Sequence, residues 1–204
     1  MPRGAEARAV RRGAGGARVV EVPAGAAAAS ALATIGDGEA VVVMGLCGAL
    51  RRLRAGDVVI YARVAGEAAA FALDAGLVDA LAAATPAAAV VSACTADRVV
   101  TTAAERAVLA ERFDADVVDM EGAPLAAELR ARGVRFAMVR VVSDDASRDL
   151  PPLEDAFDAA GGLRAVRIAV AFARAPRAAV AFVRSVRRAL ATLSAVARAV
   201  DAAL

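Results

Sequence analysis

ADVVDMEGAPLAAELRARGVRFAMVRVVSDD, residues 115–145, carries two Val-rich runs, Asp116–Val118 and Arg135–Val142, on either side of a helical Ala/Leu pattern at about Ala123–Arg132. Runs that are continuously apolar instead of alternating fit strands covered on both faces, and the helical segment between them supplies a cover. Outward from this unit the alternation continues. Further strands are predicted at Val19–Val22, Ala40–Met44, Val58–Val64 and Ala88–Val91, and further helices at about Ala24–Ile35, Ala70–Ala84, Ala103–Phe113, Leu163–Ala175 and Ala178–Ala199. The fold class is α/β, a mixed central β-sheet flanked by helices. One domain is expected over 1–204, with an α/β core to residue 158 and a C-terminal helical extension at 159–204.

The 204 residues are 59% hydrophobic, enough to bury a sizeable core. All 25 basic residues are Arg, His is absent and Ala dominates, so composition reflects coding bias as much as physics. A net charge of +2 and 3% aromatic residues argue against a nucleic-acid surface, which needs a basic footprint and stacking side chains. Without His or clustered Cys and carboxylates, no metal site is predicted and no cofactor is implied. Cys47 and Cys94 stand apart in apolar segments and read as reduced thiols. Since the N-terminus has no apolar signal region and no apolar stretch reaches spanning length, a cytoplasmic protein is expected.

From Ala159 to Val200 there is no acidic residue, while Arg164, Arg167, Arg174, Arg177, Arg184, Arg187, Arg188 and Arg198 intersperse an apolar pattern. Val180, Val183, Val186, Leu190 and Leu193 form a helical stripe beside a basic face. Two readings stand: a hairpin packed on the sheet with solvated Arg, or a basic amphipathic element at 163–199 resting on a membrane surface.

Ligands of open α/β sheets collect beyond the carboxyl ends of strands, so polar residues just after apolar runs are the first candidates. Gly45-Leu46-Cys47-Gly48 follows one strand and precedes Gly56-Asp57-Val58-Val59-Ile60; its glycines let the backbone approach a ligand, though an ordinary tight turn has the same look. Asp119-Met120-Glu121-Gly122 puts two carboxylates where a strand enters a helix, suited to capping or to accepting hydroxyl donors. Ser143-Asp144-Asp145 ends a strong strand and reads alone as a turn or N-cap.

Taken in this order, the three motifs resemble those of the nucleoside phosphorylase and nucleosidase superfamily, over roughly Gly36 to Pro152. The resemblance implies that Glu121 binds ribose hydroxyls with Met120 packed on the nucleoside, and that Asp144 is the acid that protonates the purine, with Asp145 as the spare. It also implies that Gly45, Leu46, Cys47 and Gly48 face ribose and nucleophile, and that Ser143, Val99 and Val100 belong to the base site. Glu6 is the candidate for the carboxylate that positions the attacking water. A homo-oligomer is expected by analogy.

Two features depart from the superfamily. No apolar strand precedes Glu6, so either the true start lies upstream or a sheet edge is missing and activity is impaired. Val43 and Leu46 stand where phosphate-gripping Arg and Ser are found, and neither can replace a guanidinium, which favours water over phosphate as co-substrate. A narrower resemblance, to hopanoid-associated phosphorylase-like proteins, lies in Ser143–Pro152 and the Arg174-Ala175-Pro176 junction. It implies release of adenine from adenosylhopane. Methylthioadenosine or S-adenosylhomocysteine nucleosidase, or purine nucleoside phosphorylase, is the alternative enzyme. A non-catalytic nucleoside- or lipid-binding member is the alternative of another class.

Overall fold

A computed structural model describes residues 4–23, 31–32, 35–36, 39–154 and 164–203. Its centre is a mixed sheet of β1 (Ala40–Ala49), β2 (Val58–Ala65), β3 (Ala70–Ala72), β4 (Ala89–Thr95), β5 (Val117–Asp119) and β6 (Arg135–Asp144). The strand order is β3-β2-β4-β5-β1-β6, and β6 also pairs with β2, so five of the strands close into a ring with β3 attached outside. The β1–β6, β2–β4 and β4–β5 pairs are parallel, whereas β1–β5, β2–β3 and β2–β6 are antiparallel. Closure pairs β6 on both sides and explains why it is buried along nearly its whole length.

Helices α1 (Ala5–Gly13), α2 (Ala75–Ala84), α3 (Ala103–Phe113), α4 (Gly122–Ala131), α5 (Ala165–Arg174) and α6 (Pro176–Ala203) surround it. Local chemistry sets their starts. Asp74 accepts the Leu77 amide at 2.9 Å and caps α2. Thr102 accepts the Glu105 amide at 3.2 Å and pairs with the Glu105 carboxylate, a capping box at the head of α3. Pro176 opens α6, where its missing N–H costs nothing.

Several predicted elements change. The Ala70–Ala84 helix is two elements, because residues 70–72 pair with β2 and Asp74 begins the helix afresh. Val19–Val22 is not a strand: Val22 alone makes a bridge, and Pro23 behind it has no N–H to extend a ladder. Strand β1 runs on through Gly45–Gly48, so that segment is a strand end and not a loop. The chain around Glu6 is the helix α1. The predicted helix Ala24–Ile35 falls mostly on 24–30 and 33–34, outside the described residues, as do 155–163 at the start of the extension.

Helix α1 lies against α6, and Gly13 is the point of closest approach. A Cβ there would meet Ser194 O at 2.2 Å and Ala197 Cβ at 2.7 Å. The Asp201 carboxylate ties the following turn down by accepting the amides of Gly15 at 2.9 Å and Ala17 at 2.8 Å. Glycine to alanine inside a helix ordinarily stabilises. Here the sign reverses: Gly13→Ala is expected to lower unfolding stability by about 1–3 kcal/mol through overpacking. Urea titration of the two proteins measures it, and an unchanged or raised midpoint contradicts this packing.

Candidate active site

Arg140, in the middle of β6, is fully buried. Its Nη2 lies 3.1 Å from Asp119 Oδ2 and 3.7 Å from Glu121 Oε2. Asp119 ends β5 and is held from several sides, by Thr95 Oγ at 2.7 Å, the Gly122 amide at 3.0 Å and the Tyr61 hydroxyl at 3.3 Å. Thr95 in turn accepts the Ala123 amide at 2.8 Å, so the junction of β5 with α4 is pinned to β4. Burial works against the Arg140 charge, yet the acidic groups around it, Asp119, Glu121 and Glu6 among them, hold its pKa above the usual range. Arg140 Nε and Nη1 are buried and have no hydrogen-bond partner among the described residues. These two nitrogens together carry three N–H donors.

Glu6 joins this cluster from the first turn of α1, where its Oε2 accepts the Leu46 amide at 2.7 Å. Burial pushes its carboxyl above the ordinary glutamic acid range, and Arg140 offsets part of the rise. The C-terminal portion of β1 is therefore the meeting place of α1 and β6, since Gly45 pairs with Arg140.

Asp144 occupies the far end of β6. The register there jumps, with Cys47 opposite Val142 and Gly48 opposite Asp144, so Ser143 is an extra residue in a β-bulge. A bulge reverses the side-chain alternation beyond it, which turns Asp144 toward Gly48. The approach is close: a Cβ on Gly48 would sit 3.0 Å from Asp144 Oδ2. The turn carrying Gly56 and Asp57 clamps the same place, with Gly56 N 2.8 Å from Val142 O, Val142 N 2.9 Å from Asp57 O, and Ala55 N 2.8 Å from Asp145 Oδ1. Asp145 is thereby spent on the turn. The Ser143 hydroxyl lies 3.0 Å from the Cys47 carbonyl and also reaches Asp144 Oδ1. On the other side, Arg106 Nη2 from α3 is 2.6 Å from Asp144 Oδ2.

The predicted residues are distributed as follows. Glu6, Glu121, Ser143 and Asp144 gather around the ends of β1, β5 and β6, with Met120 half-buried beside Glu121. Leu46 offers its amide, but its side chain and that of buried Val43 pack with the core. Cys47 is buried, and burial raises its thiol pKa. Val100 fills a small core cluster with Leu50, Cys94 and Val118, and Val99 packs against Leu153 and Ala171. Arg106, Arg140, Tyr61 and Thr95 went unassigned in sequence. Arg140 had a visible signal, a lone charge inside an apolar strand; the other three had none.

The sequence pattern described as the Phosphorylase superfamily matches residues 4–174. Comparison with curated proteins returns no match. Among solved structures, the chain resembles 5'-methylthioadenosine/S-adenosylhomocysteine nucleosidase from Neisseria meningitidis in complex with methylthio-immucillin-A, with a TM-score of 0.71, 18% identity and coverage of 98% of this chain and 96% of that one. It resembles a Helicobacter pylori MTAN mutant with 5'-methylthioadenosine in the active site, with a TM-score of 0.72, 12% identity and coverage of 100% and 96%. It also resembles futalosine hydrolase of Helicobacter pylori, with a TM-score of 0.68, 15% identity and coverage of 90% and 78%. At such identities the likeness is one of fold, and the match over residues 4–174 carries the assignment: the chain belongs to the phosphorylase superfamily.

Proposed function

We propose that this protein cleaves the N-glycosidic bond of an adenosyl nucleoside and releases adenine. The observation that carries the reading is the presence of two carboxyl sites along one strand, β6, with Glu6 and Glu121 around Arg140 and with Asp144 beyond the bulge. In this scheme Glu121 accepts the sugar hydroxyls. Asp144 gives its proton to the purine ring as the bond between C1' and the ring nitrogen breaks, so the base leaves neutral. Water adds to C1', and Glu6 takes the proton that water loses. The free Nε–H and Nη1–H of Arg140 are suited to hold that water or a ribose oxygen. Hydrolysis is favoured over phosphorolysis because Val43 and Leu46 are apolar and packed in the core.

The test is adenine release from 5'-methylthioadenosine and from adenosylhopane by the purified protein, with and without phosphate. Release that needs no phosphate supports hydrolysis. No release from either substrate under any condition counts against the proposal and for a non-catalytic binding protein. Because Glu6 must be ionised to take a proton and burial raises its pKa, activity is expected to fall with falling pH at a value above the ordinary glutamic acid range. A pH profile of kcat/KM reads this limb; a limb at or below the ordinary range argues against Glu6.

Adenosylhopane is the substrate we favour, on the strength of the C-terminal helices. Of the six exposed large apolar residues among the described residues, four, Val166, Val170, Val180 and Val183, lie on α5 and α6. With Arg interspersed and no acidic residue from 164 to 200, such a surface suits an anionic membrane and a lipid-linked substrate. No helix among the described residues is long and apolar enough to cross a membrane. Sedimentation with anionic vesicles but not neutral ones supports this reading, and preference for the soluble nucleoside with no vesicle binding opposes it. A homo-oligomer is proposed by analogy with the superfamily, and light scattering measures it.

A further inference from the structure

Arg106 is 1% exposed and stands on α3, away from the segments that supply the carboxylates. Its Nη1 donates to the carbonyls of Ala49 at 3.3 Å and Asp145 at 2.9 Å, and its Nη2 to that of Val100 at 3.0 Å. Those carbonyls belong to the end of β1, the turn after β6 and the stretch leading into α3. One guanidinium therefore joins three segments, and the same Nη2 lies 2.6 Å from Asp144 Oδ2. Burying a cation is costly, and an apolar side chain would fill the space between α3 and the sheet without that cost. The charge thus points to a task at Asp144.

We infer that Arg106 is a positioning residue for proton donation, holding the Asp144 carboxyl in place and stabilising the negative charge it gains when its proton leaves. The inference rests on the proposed role of Asp144 as the leaving-group acid. In that step the bond between C1' and the ring nitrogen breaks with its electron pair going to the purine, and the Asp144 proton moves to a ring nitrogen. Asp144 is left as a carboxylate facing a fixed cation. In that step the fixed cation stabilises the negative charge that develops on Asp144 as its proton moves to the purine.

The test compares two leaving groups in one protein. Adenine from 5'-methylthioadenosine needs protonation, whereas 4-nitrophenolate from 4-nitrophenyl ribofuranoside departs without it. The ratio of the two rates is independent of the folded fraction, so a partly unfolded variant remains informative. For Arg106→Gln the ratio of adenine to nitrophenolate release is expected to fall by about 10–100-fold, within the range of acid catalysis. Arg106→Lys, which keeps the charge, is expected to restore most of it. Equal loss on both substrates, or loss on neither, overturns the inference. Asp144→Asn measured alongside separates the two readings. If its ratio falls and that of Arg106→Gln does not, only the role of Arg106 fails. If neither ratio falls, the acid reading fails and takes this inference with it.

Discussion

Asp144→Asn is expected to slow adenine release by about 10²–10⁴-fold, the range over which a positioned general acid contributes. The substitution keeps the shape of the side chain, and the Ser143 hydroxyl can still reach an amide oxygen where it now reaches Oδ1. What disappears is the proton. An amide has none to give to a purine ring at neutral pH, so the base must leave as an anion. The amide also sets an N–H against Arg106 Nη2, where Oδ2 now sits at 2.6 Å, so some loss of stability accompanies the loss of rate. Asp144→Ala avoids that clash of donors and serves as the second variant. Both are measured by adenine release under saturating substrate, beside a thermal melt. Either variant working at the wild-type rate removes Asp144 from the reaction.

Arg140→Met is expected to cost about 3–5 kcal/mol of stability, as does removal of one partner from a buried ion pair. The guanidinium faces Asp119 at 3.1 Å and Glu121 at 3.7 Å, and all three side chains are buried. Methionine fills similar space but leaves the carboxylates uncompensated away from water. Adding Asp119→Asn to Arg140→Met is expected to recover part of the loss, because one stranded charge is then gone. Asparagine can still accept from Thr95, which bonds Asp119 Oδ1 at 2.7 Å. Urea unfolding of the wild type, both single variants and the double variant gives the coupling. A loss under about 1 kcal/mol for Arg140→Met, no more than an exposed ion pair contributes, overturns this account of the buried cluster.

The parts of the fold that sequence revealed are those with strong local signals. α3 begins and ends as its pattern and its Thr102 cap require. β6 follows from the apolar run 136–142, broken only by Arg140. β3 was hidden because residues 70–72, Ala-Phe-Ala, favour no state and take their conformation from pairing with β2. Ring closure was hidden too, since the β2–β6 pairing joins distant segments and no local pattern encodes it. At the candidate site, Glu121 and Asp144 were singled out because strand ends concentrate ligand contacts and because their motifs resemble those of the superfamily. The bulge at Ser143 that re-aims Asp144 has no composition of its own, and Arg106 looks like any helical Arg until the packing of α3 buries it. Glu6 stood out as a residue, but the support for its position comes from α6, at the opposite end of the chain.

The pairing of β1 with β6, together with the contact of α1 with α6, has a bearing on how the protein is made. A chain synthesised from its N-terminus presents β1 early, yet Ala40 must wait for Arg135 and Gly48 for Asp144 before that side of the ring is covered. Helix α1, with Glu6, waits longer still, until Ser194 and Ala197 emerge to meet Gly13. The residues between β1 and β6 are therefore translated while strand edges remain open, a condition that favours association with other nascent chains and places a demand on chaperones. A polypeptide released prematurely, even within the last helix, would lack the support beneath its first carboxylate. The helix that carries Glu6 is therefore covered only once α6 has been made, so a product that stops short of α6 leaves that helix without its packing partner.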